Sequence, residues 1–132
     1  MRIKIQLSSK IIALIDTIRI KRLEENVMCT NGEAVMVAFD NLEDDEIDKL
    51  NYAKLVSEEE FLLEKFIRMT LKERDFVSTL NLTPETLAKL NRVQLLMKNQ
   101  LTLNRVKKSY AIKQILLAYL LKSGGELEEY LV

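Results

Sequence analysis

Hydrophobic and polar positions run through the same series of patterns twice. Near the start, Ile3, Ile5 and Leu7 alternate with Arg2, Lys4 and Gln6, and a period of two predicts a half-buried strand. Ser8 or Ser9 follows and can cap a helix by accepting from an unpaired backbone N–H. Ile11, Ile12, Leu14, Ile15 and Ile18 then form a broad apolar stripe at helical spacing. Their β-branched content lowers helix propensity, but the spacing favours helix. Glu24-Glu25-Asn26 breaks it. Thr30-Asn31-Gly32 starts a second helix, in which Val35, Ala38, Phe39 and Leu42 fall at i, i+3, i+4 and i+7 and face a core.

The second pass begins at Ser78-Thr79-Leu80-Asn81-Leu82. Thr83-Pro84-Glu85 then supplies a capping hydroxyl, a φ-fixed proline and a first-turn acid. A shift of 75 residues lays Leu7 on Leu82, Ile12 on Leu87, Ile15 on Leu90 and Ile18 on Val93. A shift of 77 lays Ala34 on Ala111, Val35 on Ile112, Ala38 on Ile115, Phe39 on Leu116 and Leu42 on Tyr119. The two-residue difference falls in a turn, where insertion is tolerated. The chain thus divides into a first strand-helix-helix copy (1–42), an insert (43–75), a second copy (76–123) and an acidic tail (124–132) that begins at the helix stop Gly124-Gly125. Such repeated units share a core by stacking or pairing.

Within the insert, Glu43-Asp44-Asp45-Glu46 suits a loop or a helix start. Ser57-Glu58-Glu59-Glu60 reads as a capping box, with Glu60 reaching back to the Ser57 backbone. Phe61, Leu62, Lys65, Phe66, Met69 and Leu71 continue in helical spacing to Arg74, which predicts one helix spanning roughly 25 Å. Its place between the copies suits a structural strap, or else a surface for a second copy of the chain or another protein partner.

Charge changes the picture. The 132 residues carry no net charge, yet residues 76–123 hold eight Lys/Arg against one acid, while the insert holds six against eleven. A basic block of that size attracts phosphate backbones through counterion release. Lys107-Lys108 stands just before a helix, where the helix dipole disfavours cations unless an anion is present. A single cysteine, Cys29, permits no internal disulfide and reads as a small buried hydrophobe. Its presence alone favours a reducing cytoplasm, and the start of the chain lacks the pattern of a secretory signal. No apolar run approaches the ~20 residues of a membrane span. The absence of histidine excludes His-based acid–base chemistry and His metal sites. No glycine-rich phosphate loop, calcium loop or nucleophile–base pairing is visible, so neither catalysis, nor a cofactor, nor a metal is expected.

The order strand, capped helix, turn, capped helix resembles the ribbon-helix-helix family of DNA-binding proteins. The nearest local match is Ser109-Tyr110-Ala111-Ile112-Lys113-Gln114-Ile115-Leu116, similar to that family's second helix with Ser109 as its cap. The steps Leu7-Ser8 and Leu82-Thr83-Pro84-Glu85 are also similar to the family's. The resemblance implies a mostly α fold with a short two-stranded antiparallel β-ribbon, paired within one chain as a tandem pseudo-dimer carrying an inserted helical segment. It implies double-stranded DNA as partner, with the ribbon in the major groove. The base-reading side chains would be Arg2, Lys4 and Gln6 from copy one and Thr79 and Asn81 from copy two, with Val77 at the same spacing. The second-helix N-termini would hold phosphates, through Thr30, Asn31 and Gly32 in one copy and Lys107, Lys108 and Ser109 in the other.

The two halves are unlike each other. Copy one pairs a basic strand with a weakly marked second helix; copy two pairs a polar strand with a basic helix that reads as the better capped. The resemblance therefore implies an asymmetric DNA site, in a repressor or a plasmid or mobile-element accessory factor. The alternatives are a small α-rich interaction protein and an antitoxin-like module whose acidic insert or tail neutralises a basic partner.

Overall fold

The computed structural model describes residues 2–67 and 75–132, the side chains of 75–78 excepted. It is mostly helical, with one two-stranded antiparallel sheet. The chain runs β1 (Arg2–Ser8), α1 (Ser9–Glu24), α2 (Asn31–Asp40), α3 (Asp44–Lys49), α4 (Tyr52–Ser57), α5 (Glu59–Phe66), β2 (Asp75–Asn81), α6 (Pro84–Leu101) and α7 (Lys108–Ser123), and closes with a 3-10 turn at Leu127–Tyr130.

Local chemistry sets most of these limits. Ser8 caps α1 by accepting from the Ile11 N–H at 3.3 Å. Thr83 caps α6 by accepting from the Thr86 N–H at 3.2 Å, with Pro84 in the first turn, where it forfeits no hydrogen bond. After α1, Asn26 turns the chain through a left-handed conformation (φ 62°), and after α6 Thr102 does the same (φ 54°). Gly124 closes α7, and Gly125 follows at φ 73°, a region open to glycine at no steric cost.

The apolar stripes meet in one core. Leu14, Ile15 and Ile18 of α1, Val35, Ala38 and Phe39 of α2, Leu90 and Val93 of α6, and Ile112, Ile115 and Leu116 of α7 are all sealed from solvent. Each large side chain so buried contributes roughly 1.5–3 kcal/mol. α2 and α7 pack together at the centre, flanked by α1 and α6, and the ribbon covers one side: α2 lies against β2, and α7 against β1.

The insert is built differently from the expected single helix. Ser57 is the last residue of α4, and its hydroxyl donates back to the Lys54 carbonyl at 2.9 Å. It therefore caps nothing downstream. Glu58 leaves helical geometry between α4 and α5, and α5 ends at Phe66, with Ile67 extended. Met69, Leu71 and Arg74 lie outside the described residues. The acidic run opens α3, where Glu46 accepts from the Glu43 N–H at 2.9 Å.

These short helices lie over α6 and α7. Gln100 of α6 accepts from the Tyr52 N–H and donates to the Leu50 carbonyl, both at 2.9 Å. Tyr52 is fully buried, and its hydroxyl donates to the Ile47 carbonyl at 2.8 Å. Lys122 of α7 reaches the Asn41 carbonyl at 2.7 Å and the Glu46 carboxylate at 2.5 Å. Burial opposes ionisation of Glu46, but Lys122 and the Glu43 N–H outweigh it and hold the carboxyl below its ordinary range. The acidic tail joins the same layer: Leu127 and Tyr130 are buried, and Leu131 bridges to Leu50. Among the described residues no helix is long and apolar enough to cross a membrane.

Candidate nucleic-acid interface

The ribbon is the natural starting point, because its alternation separates two faces. Ile5, Leu7 and Leu80 point into the core, while Arg2, Lys4, Gln6, Thr79 and Asn81 all point outward. The strands pair with Arg2 opposite Asn81, Lys4 opposite Thr79 and Gln6 opposite Val77. All five expected reading residues thus share one exposed surface; the Val77 side chain lies outside the described residues. The 75-residue shift that aligns the copies carries Lys4 onto Thr79, its own cross-strand partner. The internal repeat and the ribbon therefore have the same centre.

A helix N-terminus stands at each end of the ribbon. That of α2 sits beside the Arg2–Asn81 end. Gly32 packs so closely there that a Cβ would come within 2.7 Å of the Asn81 carbonyl oxygen and 3.0 Å of its nitrogen. Thr30 accepts from the Glu33 N–H, and the Glu33 carboxylate accepts from the Thr30 N–H, each at 3.1 Å, a reciprocal capping box. Arg19 secures the preceding turn, donating to the Cys29 carbonyl at 2.9 Å and to Asn31 Oδ1 at 3.2 Å. Cys29 itself is half-buried in this turn rather than enclosed in the core.

The N-terminus of α7 sits at the other end. Lys107, Lys108, Ser109 and Lys113 face Lys4, Gln6 and Ser8 across an open groove. Lys107 occupies the cap position and offers no side-chain acceptor. Ser109 is already inside the helix, because the chain leaves extended geometry at Lys107 (φ −70°, ψ 148°). The expectation about capping is thus reversed: α2 is the well-capped second helix and α7 the uncapped one. Lys108 Nζ lies 3.3 Å from Gln94 Oε1 of α6. Lys113 pairs with Glu59 at 3.1 Å and sits 4.9 Å from the Tyr110 ring centre. Burial, then the Glu59 charge, pushes the Tyr110 phenol above its ordinary range. Among the described residues, Arg2, Lys4 and Lys107 enter no ion pair.

Two contributors escaped the sequence reading. Lys113 lies one helical turn beyond Ser109, a spacing that marks a shared face. Glu33 stands three residues after Thr30, the capping-box interval. Among the described residues no group of three Cys, Asp or Glu side chains is placed to hold a metal ion. Compared with known proteins, the chain matched no family model, no curated protein and no solved structure.

Proposed function

We propose that this chain binds double-stranded DNA by laying its β-ribbon in the major groove, as a single-chain counterpart of a ribbon-helix-helix dimer. The observation that carries the reading is the outward row of polar side chains centred on Lys4 and Thr79, flanked at both ends by helix N-termini. A two-stranded ribbon fits the major groove, where Arg and Lys suit guanine O6/N7 and Asn and Gln suit adenine N6/N7. Helix N-termini suit phosphates, and the basic groove at α7 adds charge where the backbone would pass. In this reading the chain is a repressor, or an accessory factor of a plasmid or mobile element, with no catalytic step.

The insert contributes support rather than readout. Its carboxylates are widely engaged within the chain: Glu46 with Lys122, Asp48 with Arg92, Glu59 with Lys113 and Glu60 with Lys10. That weakens the case for an acidic surface directed at a basic protein partner.

Fluorescence anisotropy with labelled duplex fragments at two salt concentrations tests the reading, with Lys4→Ala/Gln6→Ala measured alongside. Binding should weaken steeply as salt rises, and the variant should lose discrimination between sequences. Undetectable or salt-insensitive binding would sink it.

A further inference from the structure

The two ends of the ribbon carry different chemistry. At one end Arg2 and Asn81 face each other across the strands, both exposed. Each belongs to a residue type that contacts base edges in pairs of hydrogen bonds. Beside them, at the start of α2, the capping box occupies the Thr30 and Glu33 N–H groups. Glu33 also places a carboxylate at that helix start, which opposes an approaching phosphate. At the other end Gln6 stands opposite Val77, a residue with no hydrogen-bonding side chain, so one reader remains there. Beside it lie the uncapped start of α7 and the lysines 107, 108 and 113.

Resting on the DNA reading above, we infer that the two ends have divided the work. The Arg2–Asn81 end specifies bases, the Gln6–Lys107 end holds the phosphate backbone, and the protein therefore lies in one fixed orientation on a non-palindromic duplex. A symmetric protein imposes a symmetric site. Here the inequality runs in opposite senses at the two ends, since base reading is richest where the helix start is capped and carries an acid, and poorest where it is uncapped and carries lysines.

The test is selection of bound duplexes from a randomised pool with the full chain. Anisotropy on the selected and a scrambled duplex across a salt series follows. The expected consensus has unequal halves. Arg2→Ala with Asn81→Ala should lose about tenfold or more of the preference for the selected duplex. Lys107→Ala with Lys108→Ala should weaken both duplexes by the same factor and flatten the slope of log affinity against log salt by about 2. Circular dichroism melting checks the fold of each variant, and Arg2→Lys with Lys107→Gln replace any that unfold. A palindromic consensus overturns the inference while the DNA reading stands, as does a lysine variant that alters sequence preference while the Arg2/Asn81 variant does not. A pool with no enriched sequence and no salt-dependent binding overturns both.

Discussion

Lys4 of β1 stands directly opposite Thr79 of β2, at the point where the repeat maps one strand onto the other. In two identical copies the central residue would face itself. Two lysines there would repel across a cross-strand distance of about 4.5–5.5 Å; a lysine and a threonine do not. The Lys4–Thr79 pair thus avoids a repulsion that strict symmetry would build in. Thr79→Lys should therefore destabilise the free protein by about 0.2–1 kcal/mol, and the loss should shrink as salt screens the pair. Urea unfolding at low and high salt measures it; an equal loss at both would remove the electrostatic explanation.

If the proposed DNA reading holds, Lys107 trades stability against binding. Lys107→Asp should give α7 a side-chain cap and a favourable charge, raising stability by about 1 kcal/mol, while lowering DNA affinity at the groove. Parallel denaturation and anisotropy measurements should move in opposite directions. Affinity that rises with stability would show that the α7 end makes no phosphate contact.

The capping box of α2 gives the complementary result. Thr30→Ala should cost about 1 kcal/mol of stability and leave the salt slope of DNA binding unchanged. Thermal melts and a salt series on one preparation test both halves of the statement.

Gly32 is fixed by the strand beneath it. With Asn81 backbone atoms at 2.7 and 3.0 Å from a Cβ, Gly32→Ala must push α2 away from β2. It should destabilise by about 1–3 kcal/mol, despite alanine's better helix propensity. A stabilised variant, seen as a higher urea midpoint, would mean that this contact is looser than described.

Tyr52 gives an alkaline signature. Burial first, and then the Asp48 charge, raises its phenol far above the ordinary tyrosine value. The proton stays on in the folded chain while an unfolded chain releases it near pH 10. Stability is therefore complete below pH 10 and falls as pH climbs beyond it. Tyr52→Phe should flatten that alkaline decline, and should cost about 1 kcal/mol at neutral pH by leaving the Ile47 carbonyl without its donor. Urea midpoints between neutral pH and pH 11 decide the matter.

Much of the architecture was legible because the signals were local. Strict alternation marked β1, and the Ser8 and Thr83 hydroxyls at the foot of apolar stripes marked α1 and α6. The same reading failed wherever one group had two local partners. The Ser57 hydroxyl can cap a following helix or bond back to its own; tertiary contacts accompany the second choice, with Lys54 over the Tyr130 ring and Tyr130 donating to Glu58. The start of α7 was misplaced by two residues for a related reason, since Ser109 has a capping side chain but Lys107 has the capping geometry. The ribbon's five outward residues followed from their spacing, but which helix end faces which ribbon end depends on packing that no single segment encodes.

Both strands of the ribbon belong to one polypeptide, and the insert between α2 and β2 is the tether that makes this so. Ribbon formation is then a first-order event, indifferent to dilution, so a few molecules per cell would be as fully assembled as a concentrated solution. It also frees inheritance from symmetry. In a homodimer every substitution appears twice, whereas here one half of the ribbon's outer surface can change while the other stays as it was.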